Sequence, residues 1–464
     1  MVFSEWQFFP FFAVYLLLHL LIPARYRNYL IIVGGTVFYA WWRVDYVWVP
    51  YTLTLLAFAG TAWMESAADA ASRKRRMAIT VALLLAPLLV IKYAHLLAAS
   101  LVPVLGLRTA TPSLDGLLFG LPLGISFITF TVIAYVVDVF RKRFLPEKSL
   151  SVLLAYVLFF PHLVAGPILR PNELIPQLRQ LRAALGARFL LGASIFTLGL
   201  FKKLVIADQL AAVVEPVYRN PGAHSAFEYL LAIYGFSAQI YCDFSGYTDM
   251  AIGLAYILRI RLPTNFLRPY CATSIIEFWR RWHITLSHWL RDYLYIPLGG
   301  SRKGPSRRNL NLLVTMGLGG LWHGANWTFL TWGLLHGLAL VLVHGISRRS
   351  LGIPRWLGVL LTFHFVAWTW IFFRAPDFAT ALRVATGPFT GSWHDVTAQM
   401  ALNVFPLLLL AVFFATHRLD RHAWIRLGVS RLSWTLIVPV IVFCWILALT
   451  VSQGSSAKFI YFDF

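Results

Sequence analysis

The sequence EFWRRWH at residues 277–283, followed by GGLWHGANW at residues 319–327, is the most informative part of this chain. The first stretch places His283 on a segment crowded with tryptophan and arginine. The second places His323 at a glycine-lined break between two apolar segments. A titratable ring is costly inside hydrocarbon, so two such histidines in an apolar chain indicate a functional site by default.

Composition places the chain in a lipid bilayer. Of its 464 residues, 59% are hydrophobic and only 13% are charged, whereas soluble domains carry about 25% charged residues. No single soluble core absorbs this much apolar surface. The sequence therefore predicts an all-α polytopic membrane protein, with membrane lipid as its surroundings.

The excess of basic residues has an explanation other than nucleic acid. Lys and Arg total 40 against 19 Asp and Glu, for a net charge of +21, but these basic residues fall in short loops between apolar spans, as the positive-inside rule describes. No nucleic-acid partner is expected. Cys242, Cys271 and Cys444 have no metal-type spacing, and no metal site is predicted.

Apolar segments long enough to approach a full crossing predict about 12 membrane spans. The first, from Phe8 to Ile22, lacks a basic flank and a cleavage site, which favours a retained helix over a cleaved signal. The predicted spans lie near residues 6–22, 28–42, 46–64, 77–100, 116–140, 189–214, 227–257, 309–322, 325–346, 356–373, 402–416 and 434–451.

Orientation follows from the basic loops, which are predicted to be cytoplasmic. These loops include Arg73 to Arg76, Arg141 to Arg143, Arg302 to Arg308, Arg348-Arg349 and Arg418 to Arg431. The loops at 101–115, 215–226 and 375–401 carry fewer basic residues and are predicted to face the other side. Both flanks of 150–169 are basic, so this segment is expected to enter the membrane and return, with breaks at Pro161 and Gly166-Pro167. Both termini then lie outside the cytoplasm.

Within the basic and aromatic segment 259–308, residues 279–293 have the periodicity of an amphipathic helix. One face carries Trp279, Trp282, His283, Leu286, Trp289, Leu290 and Tyr293 at helical spacing. Arg280 and Arg281 lie off that face. Because tryptophan and tyrosine favour the lipid–water boundary, the pattern predicts a helix at the cytoplasmic interface. A peripheral anchoring helix is the alternative, although anchoring does not require His283 on the buried face.

His323 has the neighbours that a catalytic base needs. Trp322 and Trp327 can wall a cavity, and Asn326 lies one helical turn further on, within hydrogen-bonding reach of His323 or a substrate if the helix resumes there. An imidazole can take a proton from a hydroxyl at neutral pH, as acyl transfer requires. The alternative is a tight helix crossing whose histidine only bonds a neighbouring carbonyl.

Other candidate residues give weaker evidence for a catalytic role. Ser245 has no nucleophile elbow around it. Asp243 and Asp249 lie on different helix faces, so we expect them to cap helices or pair with basic residues. His162 is predicted to have a structural or substrate-path role, and His288 to be solvated. The sequence has no Walker loop and no dinucleotide fingerprint.

Several motifs together resemble the membrane-bound O-acyltransferases. They are FPHLVAGPILR at 160–170, DFSGYTD at 243–249, FWRRWHITLS at 278–287 and WHGA at 322–325. Their order resembles the bacterial alginate O-acetyltransferase branch of that family. So do RDYLYIPLGGSR at 291–302 and the tail at 458–464.

The resemblance implies a single family domain over 1–464, with a catalytic core at about 150–345 around a central tunnel in the bacterial inner membrane. His323 would be the catalytic histidine, and His283 a second marked position near the cytoplasmic mouth of the tunnel. The donor would be soluble cytoplasmic acetyl-CoA, with no bound cofactor. The acceptor would be an exported polysaccharide such as alginate, reached directly or through a periplasmic acetyltransferase or esterase-like partner, alongside the polysaccharide synthesis machinery.

Roles for further residues follow from this interpretation. Arg280 and Arg281 would attract the phosphates of the donor. The predicted tunnel is lined by Trp282, His283, Trp322, His323 and Asn326. Moving a whole charged donor through hydrocarbon would be prohibitive, so only its acetyl end is expected to reach His323.

Three alternatives remain open. The branch that transfers D-alanine to teichoic acid shares both histidines. A transporter of a polysaccharide precursor would usually carry acidic groups at the midplane and paired half-helices, but this sequence has few such acids and shows no paired half-helices in two similar halves. A scaffold that only recruits partner enzymes would tolerate the loss of His323.

Overall fold

The computed structural model describes residues 1–104, 121–181, 187–346, 353–453 and 456–460. This part of the chain forms helices and no strands, which confirms the all-α prediction. The helices are α1 (Phe8–Leu21), α2 (Arg27–Ala40), α3 (Trp48–Glu65), α4 (Ala70–Val104), α5 (Ile125–Phe140), α6 (Leu150–Leu158), α7 (Phe160–Leu163), α8 (Pro171–Leu178), α9 (Ala187–Phe201), α10 (Asp208–Arg219), α11 (Ala226–Ile257), α12 (Ile275–Trp279), α13 (Ile284–Leu290), α14 (Gly304–His323), α15 (Trp327–Ile346), α16 (Arg355–Arg374), α17 (Phe378–Thr390), α18 (Val396–Leu402), α19 (Val404–Thr416), α20 (His422–Arg431) and α21 (Trp434–Ser452).

The chain divides into two compact units. One comprises Met1–Gly192 with Leu254–Pro263, and the other comprises Ala193–Gly253 with Thr264–Phe464. The expectation of a single domain over 1–464 stays a prediction. Some predicted features lie outside the described residues: positions 105–115 of one loop, the start of the 116–140 span, Arg182, Arg348, Arg349 and the last four residues of the tail.

The described residues contain six helices that are long and apolar enough to cross a membrane, or seven if a pair bent by 78° counts as one span. The count of about 12 crossings is therefore not confirmed. The six are Val44–Glu65, Ala70–Ala94, Arg188–Arg219, Trp327–Gly345, Arg355–Arg374 and Trp434–Ser452, and the bent pair is Val396–Leu402 with Val404–Leu419. Two further predicted spans are the shorter apolar helices Phe8–Leu21 and Ile125–Phe140. The chain is a multi-pass membrane protein.

The segment 150–169 is buried but does not form one long helix. Helix α6 has nine residues, which extend only about 13 Å at the α-helical rise and are too few to span a bilayer. After α7 the chain is not helical again until Pro171. Phe160 anchors this segment, since its ring lies 5.1 Å from Tyr15 and 5.5 Å from Phe11 and Phe38. The side of the membrane on which each end lies stays a prediction.

The expected continuous helix over 279–293 is wrong. Helix α12 ends at Trp279, α13 begins at Ile284, and His283 between them has a left-handed backbone with φ of 41°. The break comes from backbone hydrogen bonds to a neighbouring segment. The Ile284 N–H donates to the Asn265 carbonyl, and the Leu267 N–H donates to the Arg281 carbonyl, each at 2.9 Å. These bonds take the place of the helical ladder.

Candidate functional site

The two histidines singled out by the sequence lie side by side. They are 40 positions apart in the chain, yet their ring centroids are 6.4 Å apart. Trp322 contacts both, at 6.2 Å from His283 and 4.9 Å from His323. The exposed fraction is 0% for His283 and 4% for His323. The structure therefore brings together two imidazoles in one enclosed aromatic setting.

Close packing of α14 against α15 fixes His323 at the end of α14. A Cβ atom on Gly320 would lie 2.2 Å from the Phe329 carbonyl oxygen, and one on Gly324 would lie 2.1 Å from the Phe329 ring. Only glycine permits this approach. The His323 ring then packs against Trp332 at 5.2 Å and Phe373 at 5.3 Å. The tight helix crossing considered as an alternative is present, and it positions the histidine.

Asn265 holds the His283 ring in one tautomer. Its Oδ1 atom accepts hydrogen bonds from the Thr285 N–H at 3.2 Å and the Thr285 hydroxyl at 2.9 Å, so this atom is an acceptor. The His283 Nδ1 atom, 3.2 Å away, must therefore donate. A neutral imidazole that donates from Nδ1 carries its lone pair on Nε2. Burial lowers the pKa of His283, which lies between α12 and α13, to about 3, so the ring is neutral.

Sequence reasoning missed Asn265. The residue is fully buried, and it acts across 18 positions of the chain on His283. A polar side chain in the turn PTNF at 263–266, between apolar stretches, is the available clue.

A third buried histidine, His336, also escaped the sequence analysis. The Thr369 hydroxyl donates to the Val366 carbonyl at 2.9 Å, so it accepts the hydrogen bond from His336 Nε2 at 3.0 Å. Trp332 stands between two histidines, 5.0 Å from His336 and 5.2 Å from His323. The position of His336 one helical turn beyond Trp332 is the signal in the sequence that could have identified this histidine.

Trp282 is buried in an aromatic cluster. Its ring lies 4.9 Å from Trp370 and 5.7 Å from Phe278, against which it stacks. Trp370 in turn stacks on Trp332 at 5.4 Å. A continuous set of rings thus connects Trp282 with the wall around His323.

The two arginines next to this cluster differ in exposure and in ion pairing. Arg280 is exposed, whereas Arg281 is part-buried and forms an ion pair with Glu277, four residues earlier. Burial opposes ionisation of Glu277, but hydrogen bonds from Thr273 and the charge of Arg281 outweigh it and lower the pKa of Glu277. The Glu277 carboxylate therefore neutralises part of the charge of Arg281. Binding of donor phosphates by either arginine stays a prediction.

Asn326 does not continue a helix from His323. Helix α14 ends at His323, and Gly324 is extended with φ of −157°. The expected one-turn spacing between His323 and Asn326 is therefore wrong. The Asn326 amide donates to the Pro376 carbonyl at 2.7 Å, and its Oδ1 accepts from the Thr328 N–H at 3.1 Å, at the start of α15. A role for Asn326 in substrate binding stays a prediction.

The aspartates of the DFSGYTD motif pair with lysines, as predicted. Lys202 bridges Asp249 at 2.7 Å and Asp420 at 2.6 Å. Lys203 bridges Asp208 and Asp243, each at 2.8 Å. Both lysines lie on a π-helical turn, Lys202–Ala207, between α9 and α10.

Two cavities lie in the second unit. One, of about 900 Å³, is lined by residues within 268–281, 355–364 and 414–418. The other, of about 170 Å³, adjoins the Lys202 network. Neither cavity is lined by His283 or His323, so the tunnel that these two histidines are expected to line stays a prediction.

The chain is similar to proteins of a known family. The sequence model of the membrane-bound O-acyltransferase family matches residues 128–376. The chain is 37% identical to the probable alginate O-acetylase AlgI of Pseudomonas putida over 503 residues, which cover 100% of each chain. It is 41% identical to that of Pseudomonas aeruginosa over 440 residues, covering 89% of this chain and 81% of the relative. It is also 41% identical to the peptidoglycan O-acetyltransferase of Helicobacter pylori over 297 residues, covering 58% and 56%. The chain therefore belongs to the membrane-bound O-acyltransferase family and is an O-acyltransferase.

Proposed function

We propose that this O-acyltransferase passes acetyl groups from cytoplasmic acetyl-CoA across the inner membrane, for O-acetylation of an exported polysaccharide such as alginate. The observation that carries the proposal is the pair of buried imidazoles, 6.4 Å apart between ring centroids. Their separation brings both rings within reach of one small acetyl group. Resemblance to alginate O-acetylases over most of the chain supports the choice of acetyl group and polymer.

In the proposed reaction His323 takes the proton of an acceptor hydroxyl. The hydroxyl oxygen then forms a bond to the acetyl carbonyl carbon, the carbon–sulfur bond breaks, and the proton passes to the departing thiolate. A thioester needs little further activation, so positioning plus one general base is sufficient. His283, held by Asn265, orients the donor end of this reaction.

The proposal also assigns the loops and termini of the protein to the two sides of the membrane. The basic loops face the cytoplasm, both termini face the periplasm, and Arg280 and Arg281 lie at the donor end. The acceptor arrives from the opposite side, directly or through a periplasmic acetyltransferase or esterase-like partner. The polysaccharide synthesis machinery supplies the polymer.

The experiment compares His323→Ala and His283→Ala with His288→Ala, since His288 is an exposed histidine close to the same site. Membranes of each variant receive acetyl-CoA labelled in the acetyl group, and label in polymer is measured per amount of folded protein. We expect a loss of at least about 100-fold for the two buried histidines, in the usual range for a general base, and little change for His288→Ala. Near-wild-type transfer by well-expressed His323→Ala would falsify the general-base assignment. Transfer of D-alanine instead of acetyl would replace the proposed donor.

A further inference from the structure

The larger cavity of the second unit lies between α16, α19 and the turn at Pro269–Cys271. Tyr270 forms its base, with its ring 5.3 Å from Phe363 on α16 and 6.2 Å from Phe413 on α19. Phe363 and Phe414 contact each other at 5.2 Å and join the two helices. The cavity is thus a groove whose walls are two helices and whose floor is an aromatic ring.

Four arginines line this groove: Arg268, Arg281, Arg355 and Arg418. Among the described residues only Arg281 of the four has a carboxylate partner, Glu277. The acid nearest to Arg418 in sequence, Asp420, is bound by Lys202 and Tyr241. Burial, followed by the charges of Arg421 and Arg281, lowers the pKa of Arg268. The groove therefore holds a concentration of positive charge that favours an anion.

Two residues that line the groove, His417 and Arg268, each carry a buried N–H group without a partner among the described residues. His417 is 4% exposed, and its Nε2 atom accepts from the Tyr270 N–H at 3.2 Å. The hydrogen of the neutral ring is therefore on Nδ1, which has no hydrogen-bond partner in the described part of the chain. The same is true of Arg268 Nε. Buried donors are rarely left unsatisfied, and both of these residues line the groove.

The walls of the groove are apolar and open. Trp356 and Leu360 on α16 are 69% and 46% exposed, and Phe414 on α19 is 39% exposed. Helix α16 is one of the candidate membrane spans. These side chains therefore face hydrocarbon, while Arg355 at the start of α16 and Arg418 just after α19 mark the charged end of the groove.

We propose that this groove binds an anionic phospholipid, with its phosphate at the arginines and its acyl chains along α16 and α19. A soluble nucleotide would match the charge but not the exposed apolar walls, which a lipid covers with its own chains. Phosphate accepts hydrogen bonds from arginine in a bidentate manner, and the exposed side chains of Arg355 and Arg418 are available to donate them. The groove shares Arg281 with the proposed donor end, so the test leaves Arg281 unchanged and measures lipid binding rather than acetyl transfer.

The test uses the purified full-length protein, stripped of lipid in neutral detergent. Binding of dioleoyl phosphatidylglycerol and dioleoyl phosphatidylcholine is measured by native mass spectrometry and by the shift in unfolding temperature. The variant is Arg355→Gln/Arg418→Gln. The matched control, Arg302→Gln/Arg307→Gln, removes the same charge from two exposed arginines outside the groove.

We expect the wild type and the control to bind phosphatidylglycerol in preference to phosphatidylcholine, and the groove variant to bind it at least about tenfold more weakly. Equal binding by the groove variant and the control would overturn the proposal. So would equal binding of the two lipids by the wild type. Displacement of bound phosphatidylglycerol by coenzyme A would show that the groove takes a soluble nucleotide, and would overturn it as well.

Discussion

Replacing Asn265 with alanine removes the acceptor that fixes the His283 ring. Three hydrogen bonds to Oδ1 are lost, two from Thr285 and one from His283. At about 1 kcal/mol net each, the free energy of unfolding is expected to fall by about 3 kcal/mol. The ring then loses its fixed tautomer and orientation, and misplacement of a reacting group by about 1 Å can cost about 100-fold in rate.

Asn311→Ala is the matched control, because Asn311 is also buried but its side chain makes a single hydrogen bond within the described residues, to the Gly300 carbonyl at 2.9 Å. Its loss should cost about 1 kcal/mol and leave activity per folded molecule unchanged. Asn265→Asp keeps the acceptor oxygen and should recover part of the rate. The negative charge of the introduced carboxylate favours protonated His283, so the pH dependence of the transfer rate should shift to higher pH.

The assay combines thermal unfolding in detergent with acetyl transfer normalised to folded protein. We expect kcat to fall for Asn265→Ala at nearly constant KM for the donor. A kcat within twofold of that of Asn311→Ala would refute the positioning role, whatever the change in stability.

Three further predictions concern the core and the topology. Lys202→Met leaves Asp249 and Asp420 without their shared cation and should lower the free energy of unfolding by about 3–5 kcal/mol. Lys303→Met, at an exposed lysine, should change it little. Equal unfolding temperatures of the two variants would contradict the prediction for Lys202. Gly320→Ala places a Cβ 2.2 Å from the Phe329 carbonyl oxygen, so it should lower the free energy of unfolding by about 1–3 kcal/mol and reduce acetyl transfer. Gly345→Ala is the control, because its Cβ meets nothing within 4 Å. Normal stability of Gly320→Ala would show that α14 and α15 can separate freely. Cysteines introduced as Ser149→Cys and Asn172→Cys should react with an impermeant maleimide from the same side of the membrane, and labelling from opposite sides would make 150–169 a true crossing.

Local sequence predicted those features that depend on composition and period. The apolar content predicted an all-helical membrane protein, and six of the predicted spans coincide with helices that are long and apolar enough to cross a membrane. The cost of a histidine in hydrocarbon was sufficient to select His283 and His323. The pairing of Asp243 and Asp249 with basic residues was also predicted from their character.

What could not be predicted depends on contacts distant in sequence. No glycine or proline interrupts 279–293, so nothing local indicates that backbone hydrogen bonds with Asn265, which accepts, and Leu267, which donates, break the helix after Trp279. Gly324 ends α14 early enough to carry Asn326 away from its expected position. The partners of the two aspartates, Lys202 and Lys203, precede them by 40 residues or more, and no periodicity links them.

The lysine pair at the π-helical turn has a consequence for how the chain enters the bilayer. Lys202 and Lys203 lie inside a 32-residue candidate span, Arg188–Arg219, where each unpaired cation costs about 2.5–3.5 kcal/mol during insertion at the helix centre. Asp208, on the same span, is available to Lys203 from the start, and Asp243 and Asp249 arrive with α11. Asp420 is synthesised 218 positions after Lys202. Each lysine therefore has a carboxylate partner once α11 has been made, and Asp420 joins Lys202 only when 420 of the 464 residues have been synthesised, so the completed network forms late in the synthesis of the chain.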